Sequence, residues 1–316
     1  MRERVIRAIQ RNKPGCVPLL IWNRDWDQSD IVFGEIQKHF EGENRDYSEW
    51  GFQWERKDET MGQPVRMPLP DLLKVDTFPV PEVHRPGRFD ELEKVQRDYP
   101  GKFTMASLAL SGFTTMTFLG GFEKVLTGLY EDRKHLERLI DAVFGFEEVL
   151  IREAGKRGVD AIAFLDDWGM QNGLMISPSL WRTVFKPHYQ HQFDLVHGSG
   201  MFVYFHSCGF IYDILPDFIE IGVDVMNISQ PNLYDIPRLG KNFGGTVCFC
   251  CPVSYQTTSI SGTPQDIERY IDLLFEHLGG FNGGLIGYAE EYHTIGMSEE
   301  NFQACVRGFR KLVYPL

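Results

Sequence analysis

Two observations predict that residues 1–316 fold as a single α/β domain, a (β/α)8 TIM barrel with an irregular N-terminal extension. Apolar, strand-like runs alternate with helix-like segments over about 200 residues, which is typical of parallel strands joined by right-handed crossovers. No Gly-x-Gly-x-x-Gly follows any predicted strand, so a dinucleotide-binding doubly wound sheet is not favoured. In a barrel of this type, the residues after the C-terminal strand ends form the functional site.

The composition agrees with one large domain and excludes several kinds of partner. A chain of 316 residues that is 43% hydrophobic can bury a sizeable core. The net charge of −12 argues against nucleic acid, because phosphate binding needs a basic surface. We also expect no membrane partner, since no apolar run approaches the length of a span and the N-terminus lacks a signal peptide's apolar core. Six cysteines without paired spacing predict free thiols in a reducing cytoplasm.

The first hundred residues are the least regular part of the sequence. Residues 2–12 have the spacing of a short helix, and 17–22 read as the first buried strand. Between residues 25 and 100, prolines and charges interrupt every pattern, so we predict loops and short helices rather than a separate domain. Seven strands are predicted in all, and 50–100 is the region in which we expect an eighth.

From residue 101 the predicted elements follow in a regular order. The predicted strands span 103–110, 159–165, 201–205, 223–228, 244–250 and 283–288. The predicted helices span 120–155, 178–197, 211–221, 263–278 and 298–312, with one more short helix between 228 and 244. Ser177 before Pro178 is a predicted N-cap, because serine accepts from the first turn and proline suits the first helical position.

A histidine and a cysteine follow the apolar run 201–205 directly. Alternate residues of a strand point to the same face, so His206 and Cys208 are expected to point the same way. Imidazole and thiolate are the ligands that zinc prefers. A core cysteine beside a hydrogen-bonded histidine is the alternative, and spacing alone leaves both interpretations open.

Other strand ends carry further candidates. Asp166 and Asp167 end the strand 159–165, either as a general acid with its partner or as caps bonded to backbone amides. The residues expected to line a substrate pocket are Trp22, Asn23 and Arg24 after the first strand, Trp168, and Asn227.

Several residues are candidates for the third metal ligand. Glu290, Glu291 and His293 follow the last strand, and each carries an oxygen or nitrogen donor. Cys251 is the best placed of the cysteines near residue 250, although cysteines of this kind are by default core thiols. We take His206, Cys208, Glu290 and Glu291 as the predicted metal site.

Four segments follow one another in the order Asp166-Asp-Trp-Gly-Met-Gln171, the helix start from Ile176 to Tyr189, Phe205-His-Ser-Cys-Gly209, and the segment from Leu215 to Asn227. Together, over about residues 100–312, they resemble the uroporphyrinogen decarboxylase superfamily. The superfamily is a TIM barrel with its site at the C-terminal strand ends. It contains true uroporphyrinogen decarboxylases and zinc methyltransferases that work with corrinoid proteins.

Within the superfamily, this chain is more similar to the methyltransferases. The arginine-rich Arg-Gln-Ala-Gly-Arg signature of the decarboxylases is missing, and Asn23-Arg-Asp-Trp-Asp-Gln28 stands in its place. A substrate with eight carboxylates needs such cations. His206-Ser-Cys208, by contrast, matches the His-x-Cys zinc motif of the methyltransferases. Corrinoid:thiol methyltransferases carry a cysteine at the last strand, whereas this chain has Glu290-Glu291, which implies a harder Lewis acid suited to an oxygen ligand.

The resemblance implies a substrate:corrinoid methyltransferase, the first component of an ether-cleaving demethylase. Zinc on His206, Cys208 and one of the two glutamates is expected to bind the ether oxygen of a methylated small molecule, with an aryl methyl ether as the best guess. Cobalamin on a separate corrinoid protein would accept the methyl group. One of the two adjacent aspartates would hydrogen-bond or protonate the departing oxygen. The alternatives are a corrinoid:acceptor methyltransferase, a decarboxylase-like lyase, and a non-catalytic corrinoid- or tetrapyrrole-binding protein.

Overall fold

The computed structural model describes residues 1–22, 26–37, 47–55, 62–290 and 295–314. Within these ranges, eight parallel strands follow one another in chain order around a nearly closed barrel, and a short antiparallel hairpin lies outside it. The strands are β1 (Leu19–Ile21), β2 (Ile31–Glu35), the hairpin strands β3 (Gln53–Glu55) and β4 (Gln63–Arg66), β5 (Phe103–Leu110), β6 (Ala161–Leu165), β7 (Phe202–Ser207), β8 (Val225–Ile228), β9 (Cys248–Pro252) and β10 (Leu285–Ala289). The predicted (β/α)8 barrel is therefore confirmed.

Helices follow most barrel strands and cover the outside of the sheet. They are α1 (Arg2–Ile9), α2 (Asp90–Asp98), α3 (Gly112–Gly120), α4 (Phe122–Glu131), α5 (Arg133–Gly155), α6 (Pro178–Val184), α7 (Lys186–Gly198), α8 (Leu215–Glu220), α9 (Ile236–Phe243), α10 (Thr258–Ser261), α11 (Pro264–Leu274) and α12 (Glu299–Lys311). Ser177 caps α6 by accepting from Leu180 N, as its sequence predicts. None of the helices that the structure describes has the length and apolar character needed to cross a membrane.

Strands β1 and β2 are the two ends of the hydrogen-bonded sheet, and two side chains join them. Asp30 Oδ2 accepts from Leu19 N at 2.9 Å, and Ser29 Oγ accepts from Ile21 N at 3.1 Å. Asp30 N donates to Leu19 O at 2.8 Å. Both Ser29 and Asp30 are buried, so they replace the missing ladder bonds where backbone groups would otherwise be unpaired.

The eighth strand lies at Ile31–Glu35, so its expected position within 50–100 was wrong. No helix separates β1 from β2 among the residues described between them. The alternation of strand and helix along the sequence therefore begins only after β2. The 50–100 region instead holds the hairpin β3–β4, a 3-10 helix over Leu72–Thr77, and α2. The predicted helix over 120–155 is two helices, α4 and α5, which divide at Asp132. Gly121, whose φ of +89° ends α3, separates α3 from α4.

The alternation of side chains separates two cores. Leu20, Tyr204 and Cys250 belong to the cluster inside the barrel. Phe205 and Cys251, one position later on β7 and β9, belong to the larger cluster between sheet and helices. Residues two positions apart on one strand therefore share a core. The same alternation predicts whether a residue just after a strand points into the barrel or toward the helices.

A buried ion pair joins two segments of the irregular N-terminal region, and its neighbours contact the barrel. Arg88 Nη2 lies 2.6 Å from Glu49 Oε2, with side-chain exposures of 0% and 2%. Arg88 Nη1 also donates to Ile36 O at 2.9 Å, just beyond β2. Trp50 packs edge-on against Phe146 of α5 at 5.1 Å between ring centroids. Breaking such a buried pair from one side is costly because it leaves the other charge uncompensated.

Candidate metal centre

His206 lies at the C-terminal end of β7 with its ring orientation set by β8. Its Nδ1 is 2.6 Å from Asn227 Oδ1, while Asn227 Nδ2 donates to Cys250 O at 2.7 Å. The second bond fixes which end of the amide accepts, so Nδ1 of the histidine carries the proton. In the neutral imidazole, Nε2 then has the lone pair, and this nitrogen is directed toward Cys208. Metal-binding histidines are oriented in this way by a partner on their other nitrogen.

Cys208 follows β7 and points to the same side as His206. Its Sγ lies 3.6 Å from His206 Nε2, which agrees with the alternation expected of a strand. Ser229 Oγ donates to this sulfur at 3.3 Å. The backbone N–H of Cys208 donates to Asp167 Oδ1 at 2.7 Å. Asp167 thus comes within reach of both side chains.

Asp167, His206 and Cys208 form a cluster of three metal-capable groups. One donor atom from each lies within 4.8 Å of the other two, and Asp167 Oδ1 is 3.7 Å from His206 Nε2. Nitrogen, sulfur and carboxylate oxygen together are a donor set for zinc, and three protein ligands leave a fourth position for a substrate. The residues present therefore fit a zinc ion.

The electrostatics of the cluster favour a bound cation. Burial lowers the pKa of His206, but the hydrogen bond and charge of Cys208, together with Asp167 and Asn227, raise it to about 10. The negative charges beside Nε2 stabilise a cation there, and a proton and a metal ion compete for the Nε2 lone pair.

Two glycines allow the Asp167 and Cys208 loops to meet. A Cβ at Gly169 would lie 2.5 Å from the carbonyl carbon of Gly209, and a Cβ at Gly209 would lie 2.2 Å from that of Gly169. Gly209 also has a φ of +75°. Gly169 N donates to Cys208 O at 3.2 Å across this contact. Each motif ends in glycine, Asp-Asp-Trp-Gly and His-Ser-Cys-Gly, because any side chain would separate the two loops.

Asp166, the other predicted catalytic aspartate, points away from the cluster. It is fully buried and accepts from Phe113 N at 2.9 Å and from both Thr114 N and Thr114 Oγ1 at 2.8 Å. The Tyr189 hydroxyl donates to it as well. These four bonds match the acceptor sites of a carboxylate, so the geometry of Asp166 is that of a cap on α3.

A second buried carboxyl supports the same helix start. Glu147 Oε1 accepts from Gly112 N at 2.7 Å, and Oε2 accepts from Gln192 Nε2 at 3.0 Å. Burial raises the pKa of Glu147 to about 8 and that of Asp166 to about 7. The two carboxyls hold the first turn of α3, and Asp167 N donates to Thr114 Oγ1 of that turn at 3.0 Å.

Stability should depend on pH through Glu147. Its carboxyl has a pKa of about 8 when folded and about 4.3 when unfolded, so the folded state binds more protons between these values. The free energy of unfolding should therefore fall as the pH rises from about 4 to about 8. Urea titrations should show this slope in the wild type and a flatter one in Glu147→Gln. The exposed Glu137→Gln on α5 is the control, and an unchanged slope in Glu147→Gln would contradict the assignment.

A cavity of about 230 Å³ opens beside the cluster at the C-terminal end of the barrel. Its described lining consists of Trp22, Leu165, Tyr204, His206, Cys208, Asn227, Ser229, Gln230, Tyr255, Tyr288, Glu290 and Ile295. Of the predicted substrate-binding residues, Trp22 and Asn227 line this cavity. Asn227 also positions His206, a role that the sequence did not suggest. Asn23, Arg24 and Glu291, like the alternative ligand His293, lie outside the described residues.

Trp168 does not reach the cavity, in contrast to its predicted role. Its side chain is fully buried and stacks on Phe113 at 4.3 Å between ring centroids. Its indole N–H donates to Tyr189 OH at 3.0 Å. Trp168 stands one position after Asp167, so the chain directs it outward into the core between sheet and helices.

Glu290 lies in the cavity but apart from the three clustered groups. Its Oε2 accepts from Tyr288 OH at 2.9 Å and from Tyr255 OH at 3.4 Å. The described side chain that completes the cluster is Asp167 rather than Glu290. Cys251 is fully buried in the outer core and is not part of the cluster.

A sequence model of the uroporphyrinogen decarboxylase (URO-D) family matches residues 59–284, more than two thirds of the chain. The match includes the described cluster Asp167, His206 and Cys208. No curated protein matches the chain.

Several solved structures are similar to this chain to different degrees. A methyltransferase from Methanosarcina mazei superposes with a TM-score of 0.75 at 13% identity, covering 98% of each chain. A D-psicose 3-epimerase has a TM-score of 0.45 at 9% identity over 92% of each chain. A B12-independent methionine synthase from Shewanella sp. W3-18-1 has a TM-score of 0.42 at 14% identity, over 70% of this chain and 64% of the other. At 13% identity, the superposition on the Methanosarcina mazei methyltransferase shows a shared barrel fold.

Proposed function

The chain belongs to the uroporphyrinogen decarboxylase family, and from this premise we propose that it is a zinc-dependent methyltransferase. It would move a methyl group from a methylated small molecule, best an aryl methyl ether, to the cobalamin of a separate corrinoid protein. The observation that carries the proposal is the cluster of Asp167, His206 and Cys208, of which His206 and Cys208 line a cavity. The fold shared with a Methanosarcina mazei methyltransferase supports it.

Decarboxylation of a polycarboxylate fits the cavity less well. The described lining contains neither arginine nor lysine, and several carboxylates would each need a cationic or hydrogen-bonding partner. Asp167 and Glu290 would add negative charge beside such a substrate. A small methylated compound needs no such cations.

The residues of this chain would divide the work in the following way. His206, Cys208 and Asp167 would hold zinc, which supplies Lewis acidity toward a substrate oxygen. Asn227 keeps the proton on His206 Nδ1 and so keeps Nε2 free for the metal. Ser229 Oγ donates to Cys208 Sγ and would stabilise the negative charge of the thiolate. The rings of Trp22, Tyr255 and Tyr288 would exclude water around the methyl group.

The overall transfer balances with a reduced corrinoid as acceptor. The bond between the methyl carbon and oxygen breaks, the oxygen keeps that electron pair, and it leaves as an alcohol or phenol after taking a proton. A reduced corrinoid held by the partner protein would supply the electron pair that accepts the methyl group.

The test is methyl transfer to free cob(I)alamin by the zinc-loaded protein. We expect conversion of cob(I)alamin to methylcobalamin, followed by its absorbance, with a panel of methoxylated aromatics as donors. The reaction should stop when zinc is removed by a chelator and resume when zinc is restored. Equal rates with the zinc-free and zinc-loaded protein would overturn the zinc-dependent mechanism. Release of carbon dioxide from a tetrapyrrole carboxylate would instead support the lyase.

A further inference from the structure

Two buried hydroxyl groups hold the backbone of the loop that follows β6. Asp167 N donates to Thr114 Oγ1, and Trp168 N donates to Ser207 Oγ, each at 3.0 Å. Thr114 and Ser207 are 8% and 1% exposed, and we call them the hydroxyl pair. Because buried N–H groups need partners, the hydroxyl pair fixes the chain at the residue that carries the carboxylate of the cluster.

Backbone hydrogen bonds hold the residues on either side of these two N–H groups. Asp166 N donates to His206 O at 3.0 Å, and Gly169 N donates to Cys208 O at 3.2 Å. Four consecutive N–H groups of the loop are therefore all committed, and three of the four acceptors lie on residues 206–208. The loop and the segment that carries the histidine and the cysteine thus form one hydrogen-bonded unit.

The Thr114 hydroxyl accepts from the loop because its own proton is used elsewhere. Thr114 Oγ1 donates to Asp166 Oδ1 at 2.8 Å, and the same oxygen accepts from Thr114 N at 2.8 Å. A hydroxyl has one proton to donate and two lone pairs with which to accept. Donation to the buried carboxylate therefore leaves only lone pairs for the Asp167 N–H. Asp166 in this way acts on the neighbouring aspartate through Thr114.

The Ser207 hydroxyl has the same arrangement of one donated and one accepted bond. Ser207 Oγ donates to Cys208 O at 3.3 Å while it accepts from Trp168 N. The Cys208 carbonyl also accepts from Gly169 N. Ser207 therefore joins the loop after β6 to the residue that carries the thiol of the cluster.

The Asp167 side chain itself is weakly enclosed. It is 38% exposed, and its Oδ1 lies 3.7 Å from His206 Nε2. The same oxygen accepts from Cys208 N at 2.7 Å. Because packing encloses so little of this carboxylate, its position depends on the backbone that carries it. That backbone is held by the hydroxyl pair.

We propose that the hydroxyl pair holds the Asp167 carboxylate beside His206 and Cys208 before any metal ion binds, and that both hydroxyl residues are positioning residues for zinc. The inference rests on the proposed function, in which this cluster binds zinc. A ligand group that is already in place gives up less conformational freedom on binding, so it binds more tightly. Neither hydroxyl needs to touch the ion.

Thr114→Val is the decisive variant, because valine has a similar shape and lacks the hydroxyl. Titration of the metal-free protein with zinc against a competing chelator should show an affinity lowered about 10-fold or more, since outer partners of metal ligands are worth about 10- to 100-fold. Thr114→Ser restores the hydroxyl and should restore the affinity. Ser207→Ala should weaken zinc binding in the same direction, and it decides the inference if Thr114→Val does not fold.

Thr117→Val is the matched control. Thr117 is buried on the same helix as Thr114, and its hydroxyl donates to Thr114 O within that helix at 2.8 Å. Its loss removes a buried threonine hydroxyl of α3 without removing a partner of the loop after β6. This variant should retain the zinc affinity of the wild type.

Hydrogen exchange of the metal-free protein supplies a readout that needs no metal. Peptides that contain residues 166–169 should exchange slowly in the metal-free wild type, because all four N–H groups are bonded. Thr114→Val and Ser207→Ala should speed exchange in these peptides and leave peptides from α11 unchanged. A purely general loss of stability would instead speed exchange across the barrel.

The outcomes separate this inference from the proposed function. Wild-type zinc affinity in both Thr114→Val and Ser207→Ala would overturn it, and so would a failure of Thr114→Ser to restore binding. Fast exchange of residues 166–169 in the metal-free wild type would overturn it too, because the site would then form only around the ion. A wild type that binds no zinc would refute the inference and the proposed function together. Zinc binding that depends on the hydroxyl pair, without methyl transfer, would support the inference and refute the function.

Discussion

His206→Ala is expected to lose bound zinc and to lower methyl transfer to cob(I)alamin by more than about a hundredfold. Even the outer partners of metal ligands are worth about 10- to 100-fold, and His206 supplies a ligand atom that Asn227 already orients. Cys208→Ser should act in the same direction, because an alcohol is a far weaker zinc ligand than a thiolate. The measurement is zinc per chain by elemental analysis, followed by the transfer rate.

The control for this pair lies on α7. His191 is half exposed and lies 3.4 Å from Glu148, outside the cavity lining described above. His191→Ala should keep full zinc and full activity. One zinc per chain in both His206→Ala and Cys208→Ser would refute the proposed centre. His206 and Cys208 would then be a hydrogen-bonded histidine and a core cysteine.

Asp167→Asn should weaken zinc binding by about 100-fold or more, whereas Glu290→Gln should leave it unchanged. Asparagine keeps an oxygen to accept from Cys208 N–H, a bond of 2.7 Å in the wild type, so the loop is retained. What it removes is the charge that stabilises a divalent ion. Titration of the zinc-free variants with zinc against a competing chelator measures the affinity directly.

The comparison of these two variants decides the third ligand. Folding is checked by the cooperative thermal transition of each variant, and Asp141→Asn on the exposed face of α5 serves as the charge-matched control. Weakened zinc binding in Glu290→Gln with full binding in Asp167→Asn would restore the glutamate expected from the sequence and reject Asp167.

Much of the barrel could be predicted because its strands carry a strong local pattern. The runs at 103–110, 161–165 and 202–207 are long or apolar enough to be recognised without tertiary information. Strand β2 was missed because it follows β1 without a helix among the residues described there, so the alternation of strand and helix does not mark it. Its pairing with β5, not its own sequence, makes it part of the barrel.

The sequence also contains a signal that distinguishes candidate residues facing the inside of the barrel from those facing the helices. Side chains alternate along a strand, so Asp167 falls on the inward face of β6, and Asp166 and Trp168 fall on the outward face. The same rule directs Cys250 inward and Cys251 outward on β9. Applied to every strand end, it would have removed Trp168 and Cys251 from the candidate site.

By itself, the sequence determined the type of fold, the inward direction of His206 and Cys208, and the metal-capable character of their end of the barrel. These properties follow from local periodicity and residue chemistry. Only the tertiary structure decided that Asp167 joins them. β6 is hydrogen-bonded directly to β7, whereas β10 lies three strands away, at roughly 4.8 Å per strand. Two inward-facing acids can have the same local pattern, but the distance across the barrel determines which one can reach the histidine and the cysteine.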